Sequence, residues 1–177
     1  MYNYHSTIVD NHYFKSPWYE WPVIAWPMWY YSADRAFVGE NMVSSISLMG
    51  NPAVWWTGLV GLVSCTGIFL MQKKKDVRLL LVILGFASQY LPWVLVPRST
   101  YIYHYFASVP FMIAAIALAL EYLSSRYRVA ARVTAIVLVV AAAGLFALFY
   151  PLESGLPASY NYVEKLRWFD WYNFAPR

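Results

Sequence analysis

Arg98 and His104 stand in a short segment between two strongly apolar runs, beside Tyr101, Tyr103 and Tyr105. A cation at the edge of hydrocarbon is costly unless it snorkels to water or finds an anionic partner. A lipid phosphate suits that role, because the guanidinium fork matches two phosphate oxygens at once. An ordinary interfacial anchor suits it equally well, and the residues alone leave both readings open.

The other chemically capable groups, His5, His12, Glu20 and Asp34, lie in the N-terminal segment. The three histidines match no metal-ligand spacing, so interfacial hydrogen bonding is expected of them and no metal site. Glu121 precedes a basic turn and is expected to pair with Arg126 or Arg128. No glycine-rich phosphate loop, HExxH or GxSxG pattern occurs. No carboxylate pair is placed for acid–base work. The residues therefore name no catalytic group and require no cofactor.

The elements that position these side chains follow from composition. Of 177 residues, 60% are apolar and 12% charged, against roughly 25% charged in soluble domains. So small a globule has no room to bury that much apolar surface, which points to lipid as the surrounding solvent. The formal charge of +4 is confined to short turns: Lys73, Lys74, Lys75 and Arg78 in one, Arg126, Arg128 and Arg132 in another. Basic turns flanked by apolar runs mark membrane boundaries, not a nucleic-acid surface. The lone Cys65 excludes an intrachain disulfide, and Met1 to Asp10 lacks the features of a signal peptide.

Four apolar runs emerge, at about 54–71, 79–96, 105–123 and 133–150. The first is flanked by Trp55 and Trp56 at one end and by the lysines at the other. As a helix it spans roughly 27 Å at 1.5 Å per residue, close to the hydrocarbon thickness of about 30 Å. Pro92 predicts a kink in the second run, Pro110 lies in the first turns of the third, and Pro151 closes the fourth. The fold class is thus an all-α polytopic membrane protein. It divides into an aromatic-rich interfacial segment over 1–53, a four-helix region over 54–151 and an interfacial tail over 152–177. The positive-inside rule puts the two basic turns in the cytoplasm and both termini outside.

Within 1–53, Pro17, Pro22 and Pro27 recur every five residues, which precludes one long helix. Short helical turns at headgroup level are expected, with Val23 to Tyr31 able to dip into the membrane. The tail carries Tyr160, Tyr162, Trp168, Phe169, Trp171 and Tyr172 and is expected to lie on the outer surface.

Several motifs, in order along the chain, then resemble one family. His12-Tyr13-Phe14-Lys15-Ser16-Pro17-Trp18-Tyr19-Glu20-Trp21-Pro22 is similar to a pattern of the protein O-mannosyltransferases, as is Pro27-Met28-Trp29-Tyr30-Tyr31. Gly50-Asn51-Pro52 followed by Trp55-Trp56 resembles that family's entry into a span. Tyr90-Leu91-Pro92-Trp93, Pro97-Arg98 and Tyr103-His104-Tyr105-Phe106 resemble its next loop, and Phe149-Tyr150-Pro151 with Gly155 its last. The resemblance is to the C-terminal four-span region, in forms closest to bacterial members.

That resemblance implies an enzyme that moves mannose from a polyprenyl phosphate to Ser or Thr hydroxyls of an acceptor protein, on the external side of a bacterial plasma membrane. It implies inverting displacement at the anomeric carbon, with a carboxylate base elsewhere. Arg98 and His104 fall where they would hold the carrier phosphate. His12, Trp18 and Trp21 would line the acceptor or carrier cavity or pack structurally. The family's acidic first loop has no counterpart here, so the chain is expected to be a fragment, inactive without the missing N-terminal half. A competing reading is a non-catalytic module that binds polyprenyl phosphate or a partner helix bundle. A small transporter fits less well, since Gln89 and Glu121 alone make no polar pathway.

Overall fold

The computed structural model describes residues 13–33, 38–172 and 174. The chain divides into two compact units, one of Asn51–Val96 with Tyr105–Ala143, the other of Met1–Gly50 with Pro97–His104 and Gly144–Arg177. Four helical segments are long and apolar enough to cross a membrane: Pro52–Met71, Val77–Leu95, Ile102–Arg126 and Arg128–Ser154.

Helix α1, Pro52–Met71, begins where its sequence supplies a cap. Asn51 Oδ1 accepts from the backbone N–H groups of Ala53 (3.1 Å) and Val54 (3.4 Å), and Pro52 occupies the first turn, where its missing N–H costs nothing. The same side chain donates from Nδ2 to the Ala142 carbonyl at 2.8 Å. Helix α2, Val77–Tyr90, is capped by Asp76, which accepts from the Arg78 N–H at 2.9 Å. At Leu91 it tightens into a 3-10 helix through Leu95. Pro92 explains the change: lacking an N–H, it removes one bond of the α ladder, so the expected kink takes the form of a switch in helix type. Helix α3, Val109–Arg126, follows a 3-10 helix over Ile102–Ser108 and has Pro110 in its first turn.

Helices α1 and α3 approach closely because α1 presents glycines. A Cβ on Gly58 would lie 2.7 Å from that of Met112, and one on Gly61 would lie 2.9 Å from the backbone nitrogen of Ile116. Small residues at a helix crossing let backbones touch where lipid supplies no hydrophobic drive. Trp55 fills the wider part of the crossing, edge-on to Tyr105 at 4.8 Å and to Phe106 at 5.3 Å.

Glu121 does not pair with Arg126 or Arg128. It accepts both terminal nitrogens of Arg78 at 3.0 Å. The same guanidinium grips Asp76 at 2.8 Å, and Tyr122 donates to Asp76 at 2.9 Å while accepting from Gln72 at 2.6 Å. The side-chain hydrogen bonds from Arg78, then its backbone N–H, hold the Asp76 carboxyl well below the usual carboxylate range. Helix contacts brought Arg78 of α2 to Glu121 of α3, a pairing that spacing along the chain does not reveal.

Helix α4, Arg128–Ser154, continues through Pro151 rather than closing there. Its stop is Gly155, whose φ of +78° is the left-handed turn that glycine adopts most easily. A short helix α5, Tyr160–Leu166, follows.

In the other unit, a 3-10 helix over Trp18–Val23 is followed by strands β1 (Met28–Ser32), β2 (Met42–Val43), β3 (Ser45–Leu48) and β4 (Ala158–Ser159). Strand β1 pairs antiparallel with β3, and β2 with β4. Of the headgroup-level helical turns expected in this segment, the 3-10 helix over Trp18–Val23 is one that forms among the described residues. Aromatic side chains favour strands when a partner strand is at hand, and that partner lies in residues 45–48. Residues 28–31 of the stretch expected to be able to dip into the membrane lie in β1.

Asn51 separates two contributions. Asn51→Ala should lower stability by about 1 kcal/mol for the lost cap, plus the lost bond to Ala142. Asn51→Asp keeps the acceptor and loses only the donor. Thermal unfolding in detergent should rank wild type above Asn51→Asp above Asn51→Ala; equal losses in both variants would show that the cap contributes nothing.

Candidate functional site

The segment 97–104 is fixed against residues 14–24 by reciprocal hydrogen bonds. Ser16 N–H donates to the Thr100 carbonyl at 2.9 Å, and Thr100 Oγ1 donates back to the Ser16 carbonyl at 2.8 Å. Trp21 adds a third tie, its indole N–H lying 3.1 Å from both the carbonyl and the hydroxyl of Ser16. Both Ser16 and Thr100 are buried, where an unmade bond would cost its full desolvation.

This clamp decides where His104 sits. Its ring stacks on Trp21 at 5.9 Å, only 10° from parallel, and on Tyr103 at 4.2 Å. Tyr103 stacks in turn on Tyr101 at 5.6 Å. His104 Nδ1 is 2.9 Å from the Tyr101 carbonyl oxygen. A carbonyl only accepts, so the proton is on Nδ1, and Nε2 is an acceptor in the neutral ring and a donor in the imidazolium. The charge of Arg98 acts on this ring. Arg98 is half-buried, and no carboxylate among the described residues forms an ion pair with it. Tyr30 of β1 is close enough to Tyr103 for their phenols to interact electrostatically.

His104 and Trp21 are thus brought together, with Arg98 in the same short segment as His104. Trp21 is fully buried and supports the histidine ring. Trp18 stands half-exposed, edge-on to Tyr19 at 5.7 Å. His5, His12 and Asp34 lie outside the described residues. Sequence reasoning missed Ser16 and Thr100, which carry no chemistry of their own and gain importance only through contact across 84 positions. Glu20 has one carboxylate oxygen, Oε2, buried without a hydrogen-bond partner among the described residues.

The turn after the 3-10 helix is strained. Ile24 and Trp26 both have φ of 58°, a region that branched and bulky side chains seldom occupy. The buried Ile24 side chain and its N–H bond to the Trp21 carbonyl at 2.9 Å hold it there. Strain of this sort persists only where the surroundings over-determine it, and here it fixes Trp21 beneath His104.

Comparison with known proteins agrees with this architecture. A family described as the C-terminal four TMM region of protein-O-mannosyltransferase matches residues 1–172. The dolichyl-phosphate-mannose–protein mannosyltransferase 1 of Saccharomyces cerevisiae is 26% identical over 98% of this chain and 23% of its own length. The polyprenol-phosphate-mannose–protein mannosyltransferase of Corynebacterium glutamicum is 29% identical over 94% of this chain and 34% of its own. The chain therefore spans about a quarter to a third of these relatives. A solved structure of the S. cerevisiae protein O-mannosyltransferase Pmt1–Pmt2 complex bound to the sugar donor shares the fold, with a TM-score of 0.78 and 24% identity over 98% of this chain and 26% of that one.

Burial raises the Glu20 carboxyl above its ordinary 4.5. Below 4.5 the group is protonated whether folded or unfolded, and it has no effect. As pH rises through the window above 4.5, the unfolded chain ionises first and the native state loses stability. Glu20→Gln should therefore be more stable than wild type at pH 7, by up to about 1 kcal/mol because solvent still screens the side chain. The difference should vanish at pH 4, and an equal gain at both pH values would refute the assignment.

Proposed function

The chain belongs to the C-terminal four-transmembrane family of protein O-mannosyltransferases, and from that premise we propose that it forms the carrier-binding membrane portion of an enzyme moving mannose from polyprenyl phosphate to Ser or Thr of an acceptor protein. Its relatives are named for dolichyl- or polyprenol-phosphate-mannose donors. One observation carries the reading for this chain: Arg98, half-buried and with no carboxylate partner among the described residues, in one segment with a histidine that stacks on two aromatic rings. A guanidinium in that setting is matched by a phosphate.

The proposed chemistry follows from charge. The acceptor oxygen forms a bond to the anomeric carbon as the bond from that carbon to the phosphate oxygen breaks. The hydroxyl proton passes to a carboxylate base in the remaining part of the enzyme, and the leaving polyprenyl phosphate gains one negative charge. Arg98 interacts more strongly with the departing phosphate than with the intact donor, and only such a difference accelerates the step. His104 contributes a second donor once the phosphate draws a proton to Nε2. Trp21 and Tyr103 keep the ring from turning.

The proposed topology puts the turns holding Lys73–Lys75 and Arg126–Arg132 in the cytoplasm, and the Arg98 segment with both termini outside, in a bacterial plasma membrane. The four apolar helices and the uneven distribution of basic residues support it.

Arg98→Ala should weaken polyprenyl-phosphate binding by about 10- to 100-fold, the range for a hydrogen bond to a charged group, and lower transfer in the reconstituted enzyme. Arg98→Lys should recover part of the loss, since a point charge replaces a fork. Calorimetric titration with polyprenyl phosphate in detergent reports binding, and unchanged affinity in Arg98→Ala would sink the assignment.

Cysteines placed by Lys74→Cys and Ser99→Cys should react with an impermeant reagent from opposite faces of sealed vesicles. Labelling of both from one face would overturn the topology.

A further inference from the structure

A groove of about 590 Å³ lies among α1, α3 and α4, within the general range of roughly 300–1,000 Å³ for ligand pockets. It runs beside Thr57 to Ile68 of α1, a length of about 17 Å at 1.5 Å per residue. That is close to one leaflet, about half of the 30 Å hydrocarbon thickness. The small residues Ser64 and Ala119 line it together with Leu138 of α4. Asn51 ties α4 to α1 beyond one end, at Ala142. Tyr122 and Arg126 stand at the other end.

The lining selects the occupant. Ser64 donates its hydroxyl to the Val60 carbonyl at 2.8 Å, and Thr57 donates to the Ala53 carbonyl. These hydroxyls are turned into their own helix, so the wall offers water few of the two to four partners it needs. The volume spread over the length gives a mean cross-section of about 35 Å², while a helix with side chains is about 10–12 Å across. A hydrocarbon chain fits that section and a further helix does not. Arg126, at the open end, donates from Nε to the Tyr127 hydroxyl at 3.3 Å, and no carboxylate among the described residues forms an ion pair with it. Arg128 and Arg132 follow it in the chain.

We infer that this groove is a structural lipid site for an anionic phospholipid, with one acyl chain along Ser64, Ile68, Ala119 and Leu138 and its phosphate on Arg126. It is separate from the carrier site proposed at Arg98, because its cation belongs to the basic turn that ends α3.

The test uses the full chain in nanodiscs of phosphatidylcholine doped with phosphatidylglycerol, and then extraction and quantification of the lipid retained on transfer to detergent. Phosphatidylglycerol should be enriched in the retained fraction. Arg126→Gln should cut that enrichment roughly fivefold, the effect of one basic residue near an anionic surface. Ala119→Phe should abolish it by filling the groove. Should Ala119→Phe fail to fold, phosphatidylglycerol bearing a diazirine on its acyl chain should mark the peptides holding Ser64 and Leu138 in the unmodified chain. Equal retention of the two phospholipids, indifference to Arg126→Gln, crosslinks confined to other faces, or displacement by polyprenyl phosphate would each overturn the assignment.

Discussion

A peptide group that enters hydrocarbon must bring its hydrogen-bond partner with it, because the solvent there supplies none. That constraint forces the four long segments into helices and moves the difficulty to their ends, where the first N–H groups and last carbonyls have no partner within the helix. The chain answers at two of the starts with a side chain in place: Asn51 before α1 and Asp76 before α2. At the far end of α1, Lys75 donates to the Phe69 and Leu70 carbonyls at 2.7 and 3.0 Å. Once the backbone is self-sufficient, what remains between helices is packing, and the glycines of α1 set how near α3 can come.

The other unit solves a different problem. Its strands are too short to bury much, and side chains bind its backbone instead. Ser44 donates to the Gly155 carbonyl at 2.7 Å, and Ser45 and Ser47 both donate to the carbonyl of Phe174. Phe149, Trp168, Tyr172 and Phe174 pack around that point with ring centroids 5.2–6.4 Å apart. The Ser16–Thr100 pair works in the same way beneath Arg98 and His104. Aromatic area supplies the burial, and buried hydroxyls decide the geometry. A ring stacked on two others and bonded through Nδ1, as His104 is, keeps its nitrogens directed in the absence of any ligand.

The helices were legible because hydrophobicity over eighteen or more residues is a local property, and so were the turns that end them. Three features were not. The pairing of β1 with β3 depends on residues more than ten positions apart finding a register. The Arg78–Glu121 pair depends on how α2 leans on α3, and a reading limited to near neighbours assigned Glu121 to the wrong arginines. The stacking of Trp21 on His104 joins segments 83 positions apart, although His104 stood out alone and Trp21 through the family resemblance. Arg98 was visible at once, since a cation beside an apolar run is conspicuous in any membrane sequence.

The treatment of arginine ties these observations together. Where this chain uses arginine for structure it supplies carboxylates: Arg78 has Asp76 and Glu121, and Arg167 has Glu164 at 3.3 Å. Arg98 and Arg126 form no such ion pair among the described residues. A guanidinium near hydrocarbon keeps its charge at any physiological pH, so deprotonation offers no relief. It needs water or an anion, and an anion brought by a lipid arrives already at the correct depth. A carboxylate placed beside Arg98 would make the free protein more stable and would compete with every phosphate that approached. On the proposed reading, leaving it without one would keep the charge for a ligand, at the cost of a less stable empty site.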